Sequence, residues 1–304
     1  MRLSHSLRLA AAAGLGATAL TVVGLAAPAQ ARPVDTACLT PTPNAEASSA
    51  RGGASGLDHR DITAADQRAI MQRTNSLLAA RSGATAASAR LAARVRIPVH
   101  VHVMRDRAGR GNVTRWQVTR QIDVLNRSYR STRFRFRLAS LDRFKNTAWH
   151  HDRQSARYRA RTRKGGANAL NIWLVDFQYL GVATFPWDYA KKRRVDGIRV
   201  HYGSLPGGRI ANFNRGQTAT HEAGHWFGLY HTFQGGCTEL NDQVNDTPAQ
   251  ASPTSGCPAG RDSCTMSGMD PIHNYMDYSF DSCYREFTRG QEQRADRMWV
   301  AYRA

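Results

Sequence analysis

The chain has 304 residues and a formal net charge of +19, from 42 Lys and Arg against 23 Asp and Glu. This length predicts one or two domains. A basic field attracts anionic surfaces, nucleic acid or acidic substrates, but the basic residues are spread along the chain and belong to no nucleic-acid-binding motif. We therefore favour a solvated basic surface and expect no nucleic-acid partner.

The N-terminal segment predicts a secretory signal peptide. Arg2 and Arg8 supply a positive start, residues 9–27 are apolar, and residues 29–31 (Ala-Gln-Ala) form a small-residue cleavage site. We assign residues 1–31 to this signal and expect a secreted, extracellular protein. A retained membrane anchor is the alternative, which the cleavage site and the glycines in the apolar run argue against. No later segment has enough consecutive apolar residues to span a bilayer.

Residues 32–96 are predicted to form a pro-segment, which would make the protein a zymogen. Residues 32–57 are rich in Pro, Gly and Ser, as flexible linkers are. A capping box at residues 63–66 (Thr-Ala-Ala-Asp) begins a short helix, and an Ala-rich stretch follows. Three arginines offer cleavage points before the folded domain: Arg90, Arg94 and Arg96. An N-terminal extension that stays in the mature protein is the alternative.

The folded domain is predicted to span residues 97–304. An alternating apolar pattern at 95–103 predicts a strand. His100 and His102 share one face there, and we interpret them as strand residues. A capping box at 114–117 begins a helix. Its apolar residues are spaced by four, three and four: Val118, Ile122, Leu125 and Tyr129.

Further strands are predicted at 134–138, 171–175 and 198–202, and a helix around 217–229. A capping box at 288–291 begins a final helix. One face of that helix carries Ala295, Met298, Trp299 and Tyr302. The alternation of strands and helices predicts an α/β sheet.

Residues 221–231 (His-Glu-Ala-Gly-His-Trp-Phe-Gly-Leu-Tyr-His) carry the strongest chemical signal in the chain. Positions i and i+4 of a helix share a face, so His221 and His225 can present their imidazoles to one metal ion. Gly228 lets the chain leave the helix, because glycine accepts a positive φ. The turn then returns His231 as a third ligand. Three protein ligands leave one position open, as in a catalytic zinc site.

Glu222 adjoins a ligand, so its carboxylate can reach a water on the metal. We predict a secreted zinc-dependent endopeptidase that hydrolyses peptide bonds through a zinc-bound water activated by Glu222. Its partners are then protein or peptide substrates, and we expect a monomer. Two alternatives stay open: a secreted zinc-containing peptide- or surface-binding protein without proteolytic activity, and a basic nucleic-acid-binding protein with structural zinc.

Residues 274–278 (Asn-Tyr-Met-Asp-Tyr) follow the zinc motif. An extended zinc motif followed by a Met-containing turn is the metzincin signature. Within the metzincins, the chain resembles the pappalysin family, of the ulilysin and cytophagalysin type, which points to a secreted bacterial precursor. The resemblance is carried by residues 218–237, 246–250 (Asp-Thr-Pro-Ala-Gln) and 274–278. It covers roughly residues 97–304 and is strongest from residue 181 onward.

This resemblance implies a metzincin fold, with a twisted mixed sheet and with backing and active-site helices above the cleft. An irregular, disulfide-stapled lower subdomain with a C-terminal helix lies below. Met276 would form the hydrophobic floor beneath the zinc ion, and Tyr278 would hydrogen-bond the tetrahedral intermediate. Residues 180–186 resemble a cleft-side strand region, which can pair with an extended peptide by strand addition. The resemblance also raises cleavage before Arg or Lys as a hypothesis.

Five cysteines are present, and four of them follow the zinc motif. Four cysteines allow three connectivities, and the sequence does not choose among them. The resemblance favours Cys237–Cys264 and Cys257–Cys283. Two interpretations of Cys38 stay open: a free surface thiol, or a switch whose thiolate occupies the open zinc position until the pro-segment is removed.

Calcium is a second candidate ion. Glu239, Asp242 and Asp246 form an oxygen-rich segment near the zinc motif, and hard cations prefer such ligands. Some pappalysin-like enzymes bind calcium in this region, so the resemblance supports the same hypothesis. A solvated acidic loop is the alternative.

Overall fold

The computed structural model describes residues 62–82 and 94–304. The predicted signal peptide, Cys38, Arg90 and most of the predicted pro-segment lie outside the described residues. The helices and strands are, in chain order, α1 (Ala64–Ser82), β1 (Val95–Arg105), α2 (Arg115–Ser128), β2 (Phe134–Lys145), α3 (Thr147–His150), α4 (Ser155–Thr162), β3 (Leu170–Val175), β4 (Gly181–Ala183), α5 (Tyr189–Lys192), β5 (Ile198–His201), α6 (Gln217–Trp226) and α7 (Arg289–Tyr302).

The five strands form one mixed sheet in the order β2-β1-β3-β5-β4. Four strands are parallel, and β4 runs antiparallel to β5 at the edge. All six residues of β3 are buried, as expected of a central parallel strand covered on both faces. The predicted mixed α/β sheet is confirmed.

Strand β2 is longer than predicted, ending at Lys145 and not at Leu138. It pairs with β1 along its whole length, from Val95 opposite Phe134 to Arg105 opposite Lys145. The outer half of β2 is only partly buried, so it lacks the apolar alternation that marks a strand in a sequence. Its extended structure depends on the neighbouring strand, which sequence periodicity does not report.

Helix α2 connects the sheet to α6. The predicted capping box is confirmed, because Thr114 and Gln117 exchange side-chain and backbone hydrogen bonds. The predicted apolar face is buried: Val118, Ile122, Leu125 and Tyr129. The Tyr129 hydroxyl donates to the backbone carbonyl of Thr220 at 3.0 Å, which ties α2 to the middle of α6.

The C-terminal helix α7 closes the fold through a buried ion pair. Its capping box at Thr288 is confirmed. Beyond its end, the guanidinium of Arg303 makes two 3.1 Å contacts with the carboxylate of Asp196. The same group lies 3.7 Å from the ring centroid of Trp226, the last residue of α6. Because all three side chains are buried, the charge pair joins α7, the sheet region and α6.

Helix α1, from the predicted pro-segment, packs on α7. Its capping box is confirmed by the 3.1 Å hydrogen bond from the backbone N–H of Asp66 to Thr63 Oγ1. Thr74 lies 3.0 Å from the hydroxyl of Tyr302. An apolar cluster joins this segment to the domain: Ile62, Ile70, Phe185, Trp187, Tyr230 and Met298. None of the described helices is both long and apolar enough to cross a membrane.

Candidate metal centre and active site

Helix α6 carries the zinc motif and ends earlier than predicted. It stops at Trp226, whereas the sequence suggested a helix to residue 229. Gly228 has a φ of +92°, and the backbone N–H of Leu229 donates to the carbonyl of Gly224 at 2.9 Å. This left-handed turn removes the last residues from the helix. The predicted role of Gly228 as the exit from the helix agrees with this geometry.

The three histidines of the motif converge. Nε2 of His225 lies 3.1 Å from Nε2 of His221 and 3.0 Å from Nε2 of His231. His221 and His225 are buried, and His231 is partly exposed. Among the described residues, these three form one of the side-chain clusters that can hold a metal ion.

The backbone sets the orientation of two of these rings. Nδ1 of His221 lies 2.7 Å from the Tyr275 carbonyl, and Nδ1 of His225 lies 2.8 Å from the Leu229 carbonyl. A carbonyl oxygen only accepts, so each Nδ1 donates and each neutral ring keeps its lone pair on Nε2. Metal-binding histidines are oriented by this kind of hydrogen bond. The converging nitrogen donors therefore fit a zinc ion.

Glu222 lies buried between α6 and the edge strand β4. A Cβ atom added at Gly181 would lie 2.4 Å from both Cγ and Oε1 of Glu222. The backbone of β4 therefore passes directly against this carboxylate, and glycine is the residue that leaves room for it. The predicted cleft-side region is thus an edge strand beside the candidate general base.

Two residues of the Met-containing turn lie against the histidines. Met276 is fully buried, and a Cβ atom at Gly224 would lie 2.3 Å from its Sδ. Met276 therefore packs under the helical turn that separates His221 from His225. The ring of Tyr278 is centred 4.8 Å from the ring of His231 and 5.6 Å from that of His221.

A small pocket that opens to solvent lies beside these residues. Its lining includes Leu180, Phe213, Gln217, Thr218, His221, Glu222, Tyr278, Asp281 and Tyr284. The pocket adjoins the histidine motif, because its wall contains both the candidate metal ligand His221 and the candidate base Glu222. A ligand in this pocket would therefore lie beside Glu222.

Asp281 is a second buried carboxylate of this pocket, besides Glu222, and sequence analysis missed it. Its Oδ2 accepts the backbone N–H of Arg215 at 2.7 Å and that of Gln217 at 3.4 Å, which caps the start of α6. Its buried Oδ1 has no hydrogen-bond partner among the described residues. Burial raises the pKa of the carboxyl to about 7. An ionised Asp281 would therefore be stabilised by a cationic ligand.

Asp277 was also missed. Its Oδ1 accepts hydrogen bonds of 3.0 Å from the Gln250 side chain and from the backbone N–H of Thr254, and burial raises its pKa. Gln250 also accepts from the Thr232 hydroxyl at 2.7 Å. These bonds connect the Met-containing turn with residues 246–250 and with the chain just after His231. The two segments quoted for the family resemblance therefore support each other.

The four cysteines after the zinc motif are paired as the resemblance implied. The disulfides are Cys237–Cys264 and Cys257–Cys283. They join stretches with little regular secondary structure below the sheet. Such cross-links lower the entropy of the unfolded chain, and each one thereby stabilises the fold by about 2–4 kcal/mol.

The predicted calcium ligands are not gathered into a cluster. Glu239 is exposed while Asp242 is buried, and Oδ2 of Asp246 accepts the backbone N–H of Gly290 at 2.9 Å. Burial raises the pKa of Asp242 to about 7, and the Arg294 guanidinium opposes that shift. The three carboxylates form no metal-binding group among the clusters found in the described residues.

The profile of the peptidase family M43, described as pregnancy-associated plasma protein-A, matches residues 178–300. An extracellular metalloprotease of Verticillium alfalfae is 47% identical over 243 residues, covering 76% of this chain and 85% of its own. An extracellular metalloprotease of Sordaria macrospora is 43% identical, covering 80% and 88%. These relatives are fungal, so the bacterial origin stays a prediction.

The same likeness appears among solved structures. Mature mirolysin of Tannerella forsythia, in complex with a cleaved peptide, is 28% identical with a TM-score of 0.60, covering 67% of this chain and 91% of its own. Promirolysin of the same organism has a TM-score of 0.61 at 28% identity, covering 69% and 81%. The expected metzincin fold is confirmed by this match.

Proposed function

Since the chain belongs to the pappalysin family of metallopeptidases (M43), we propose that it is a secreted zinc endopeptidase, with zinc on His221, His225 and His231 and with Glu222 as its general base. The observation that carries the proposal is the convergence of three Nε2 atoms within 3.1 Å of their neighbours. A bound zinc ion supplies Lewis acidity, which makes a water molecule acidic near neutral pH.

Glu222 then works as a proton carrier. Its buried carboxylate takes a proton from the attacking water and delivers it to the leaving amine. Gly181 leaves room for this carboxylate, because any larger side chain would occupy the position of Glu222 Cγ and Oε1. Glu222 is fully buried, and burial away from water strengthens the electrostatic interactions of a general base.

Tyr278 and Met276 have separate roles in this proposal. The Tyr278 ring lies beside two ligand rings, from where its hydroxyl can donate to the developing oxyanion. Met276 supports the ligands from below as an apolar floor. If Tyr278→Phe lowers kcat by a larger factor than it changes KM, the proposed role of the tyrosine is supported. An unchanged kcat contradicts that role.

The substrate is proposed to bind as an extra strand on β4. Within the described sheet β4 is the last strand and pairs with β5, and strand addition at the edge of a sheet is a common way to bind an extended peptide. Strand pairing recognises the peptide backbone and tolerates many side chains. Side-chain selection then depends on the neighbouring pocket.

We propose that this pocket accepts Arg or Lys from the position after the scissile bond. Asp281 supplies a carboxylate within the pocket, and its Oδ1 retains acceptor capacity. A guanidinium there would pair with a charge that burial otherwise disfavours. This pairing supports the hypothesis of cleavage before Arg or Lys.

Residues 1–31 as a signal peptide and 32–96 as a pro-segment remain part of this proposal. Cleavage after Arg94, which precedes β1, would leave α1 bound to the domain by contacts that include the 2.8 Å hydrogen bond from Gln234 to the Ile62 carbonyl. Cleavage after Arg96 would cut β1 between residues paired with β2. Mass spectrometry of the secreted protein identifies its N-terminus. An activity comparison of wild-type and Cys38→Ser precursors decides between the switch and the free thiol.

Calcium on Glu239, Asp242 and Asp246 is the least supported part of the proposal, since these side chains are not clustered. The test removes all metals with a chelator and restores zinc alone. Full recovery of activity and thermal stability excludes a calcium requirement. Recovery that needs added calcium supports it.

The proposed catalytic role is tested with Glu222→Ala. We expect the variant to bind one zinc ion on the three histidines and to lose nearly all casein hydrolysis, which phenanthroline also abolishes in the wild type. Glu292→Ala, in the first turn of α7, is the matched control and should keep activity. Wild-type turnover by Glu222→Ala would contradict the mechanism, and a wild type without any proteolysis would favour a peptide-binding function.

A further inference from the structure

A second group of histidines lies outside the active site. It gathers where β3 and β5 end, beside the short helix α3, at the edge of the sheet where parallel strands commonly place ligands. Its members are His150, His151, Asp176 and His201. The first three have ligand atoms within 4.8 Å of one another, so this is a second candidate metal cluster among the described residues.

His150 directs a lone pair into this cluster. Its Nδ1 lies 2.8 Å from the Met104 carbonyl, which only accepts, so Nδ1 carries the proton of the neutral ring. Nε2 then has a lone pair, and it faces Asp176 Oδ2 at 3.4 Å. The ring is fully buried, and Nε2 has no hydrogen-bond partner in the described part of the chain. A cation between His150 Nε2 and Asp176 Oδ2 would stabilise these two facing electron-rich atoms.

Asp176 is oriented by a different histidine. The backbone N–H of Gly203 donates to Nδ1 of His201 at 2.9 Å, so the proton of that neutral ring is on Nε2. Nε2 of His201 therefore donates to Asp176 Oδ1, at 3.0 Å. This leaves Asp176 Oδ2 facing His150 and His151, whose Nδ1 lies 3.8 Å away.

The two separations around Asp176 Oδ2 are compatible with tetrahedral coordination. Bonds of about 2.0–2.1 Å to zinc place neighbouring ligand atoms about 3.3 Å apart in a tetrahedron. The separations of 3.4 Å and 3.8 Å around Asp176 Oδ2 are close to this value. His150 also repeats the pattern of His221 and His225, with Nδ1 on a backbone carbonyl and Nε2 directed inward.

We propose that His150, His151 and Asp176 form a second zinc site, with water as the fourth ligand and His201 as the residue that positions the carboxylate. The site is open to solvent, because the side chains of His151 and Asp176 are 34% and 27% exposed. Arg209 lies 3.6 Å from Asp176 Oδ1, on the oxygen not used for zinc, and its side chain is 64% exposed. The ion would join α3 to the end of β3, just before the chain that leads to β4.

The test counts zinc in the full-length protein. The protein is exposed to excess Zn²⁺, separated from free metal by gel filtration, and measured by inductively coupled plasma mass spectrometry. We expect two equivalents in the wild type and one in both His151→Gln and Asp176→Asn. His100→Gln is the matched control, since His100 hydrogen-bonds Ser140 at 2.9 Å outside the cluster, and it should keep two.

His225→Ala separates this proposal from the catalytic one. The His225→Ala variant should retain one equivalent of zinc. The double variant His225→Ala with His151→Gln should retain none. One equivalent in the wild type, or two in both His151→Gln and Asp176→Asn, would overturn the second site. His151→Gln decides if Asp176→Asn does not fold, because His151 is partly exposed, and casein hydrolysis by that variant verifies its fold.

Discussion

Replacement of Asp281 by Asn should remove the proposed preference for a basic residue after the scissile bond. The substitution keeps the shape of the side chain, and its amide oxygen can still accept the backbone N–H of Arg215, now 2.7 Å from Oδ2. The cap on α6 is therefore retained. What is lost is the negative charge in the pocket wall.

The magnitude follows from burial. Only 4% of Asp281 is exposed, so a guanidinium that reaches it forms a poorly screened ion pair. Loss of one partner of a buried charge pair at an interface costs about 2–5 kcal/mol. Because Asn keeps a polar contact, we expect about 2–3 kcal/mol, which corresponds to a decrease of about 30- to 150-fold in kcat/KM.

The assay uses two peptides that differ only in the residue after the scissile bond, arginine or its neutral analogue citrulline. The wild type should prefer arginine, and Asp281→Asn should cleave both at the slow citrulline rate. Asp262→Asn, at an exposed position, is the control for the loss of one negative charge. If Asp281→Asn keeps the arginine preference, Asp281 does not select the substrate.

Three further predictions concern the pH dependence of Asp281, the packing of Gly181 on Glu222 and the buried ion pair of Arg303. The wild-type arginine-to-citrulline ratio of kcat/KM should rise as the pH passes about 7, because burial raises the pKa of Asp281 to about 7 and its ionised form binds the cation; a ratio independent of pH from 6 to 8 contradicts this. Gly181→Ala should lower kcat about 100-fold with zinc content unchanged, because its Cβ would occupy the place of Glu222 Cγ; parallel kinetics and metal analysis check it, and wild-type kcat is the contrary result. Arg303→Ala should destabilise the protein by about 3 kcal/mol, because it removes the nearer cation from the buried Asp196 carboxylate and leaves Arg163 at 3.6 Å as the second one; chemical denaturation measures the loss, which a change below about 1 kcal/mol would contradict.

Local spacing determined the parts of the molecule that sequence analysis predicted well. The histidine motif, its terminating Gly228 and the capping boxes at Thr63, Thr114 and Thr288 involve residues no more than a few turns apart. Helical geometry alone places such residues together. The buried face of α2 was also predicted from the sequence, because its apolar residues repeat with the helical period.

The family resemblance also predicted contacts between residues that lie far apart in the chain. Spacing alone left three disulfide pairings open, and the resemblance selected the pairs that the structure contains. Met276 was expected near the zinc motif on the same basis, and it packs under α6.

Tertiary structure decided what neither source indicated. Asp281 reaches the pocket only because residues 215–217 present their N–H groups to it, and Gly181 meets Glu222 only because β4 folds back on β5. His151 and Asp176 follow separate elements and meet only at the edge of the assembled sheet. The sequence by itself indicated the candidate metal ligands and the candidate base, since residues at helical spacing are local neighbours. The proposed substrate selection and the second cluster required the fold, because they depend on contacts between elements whose relative positions no local pattern encodes.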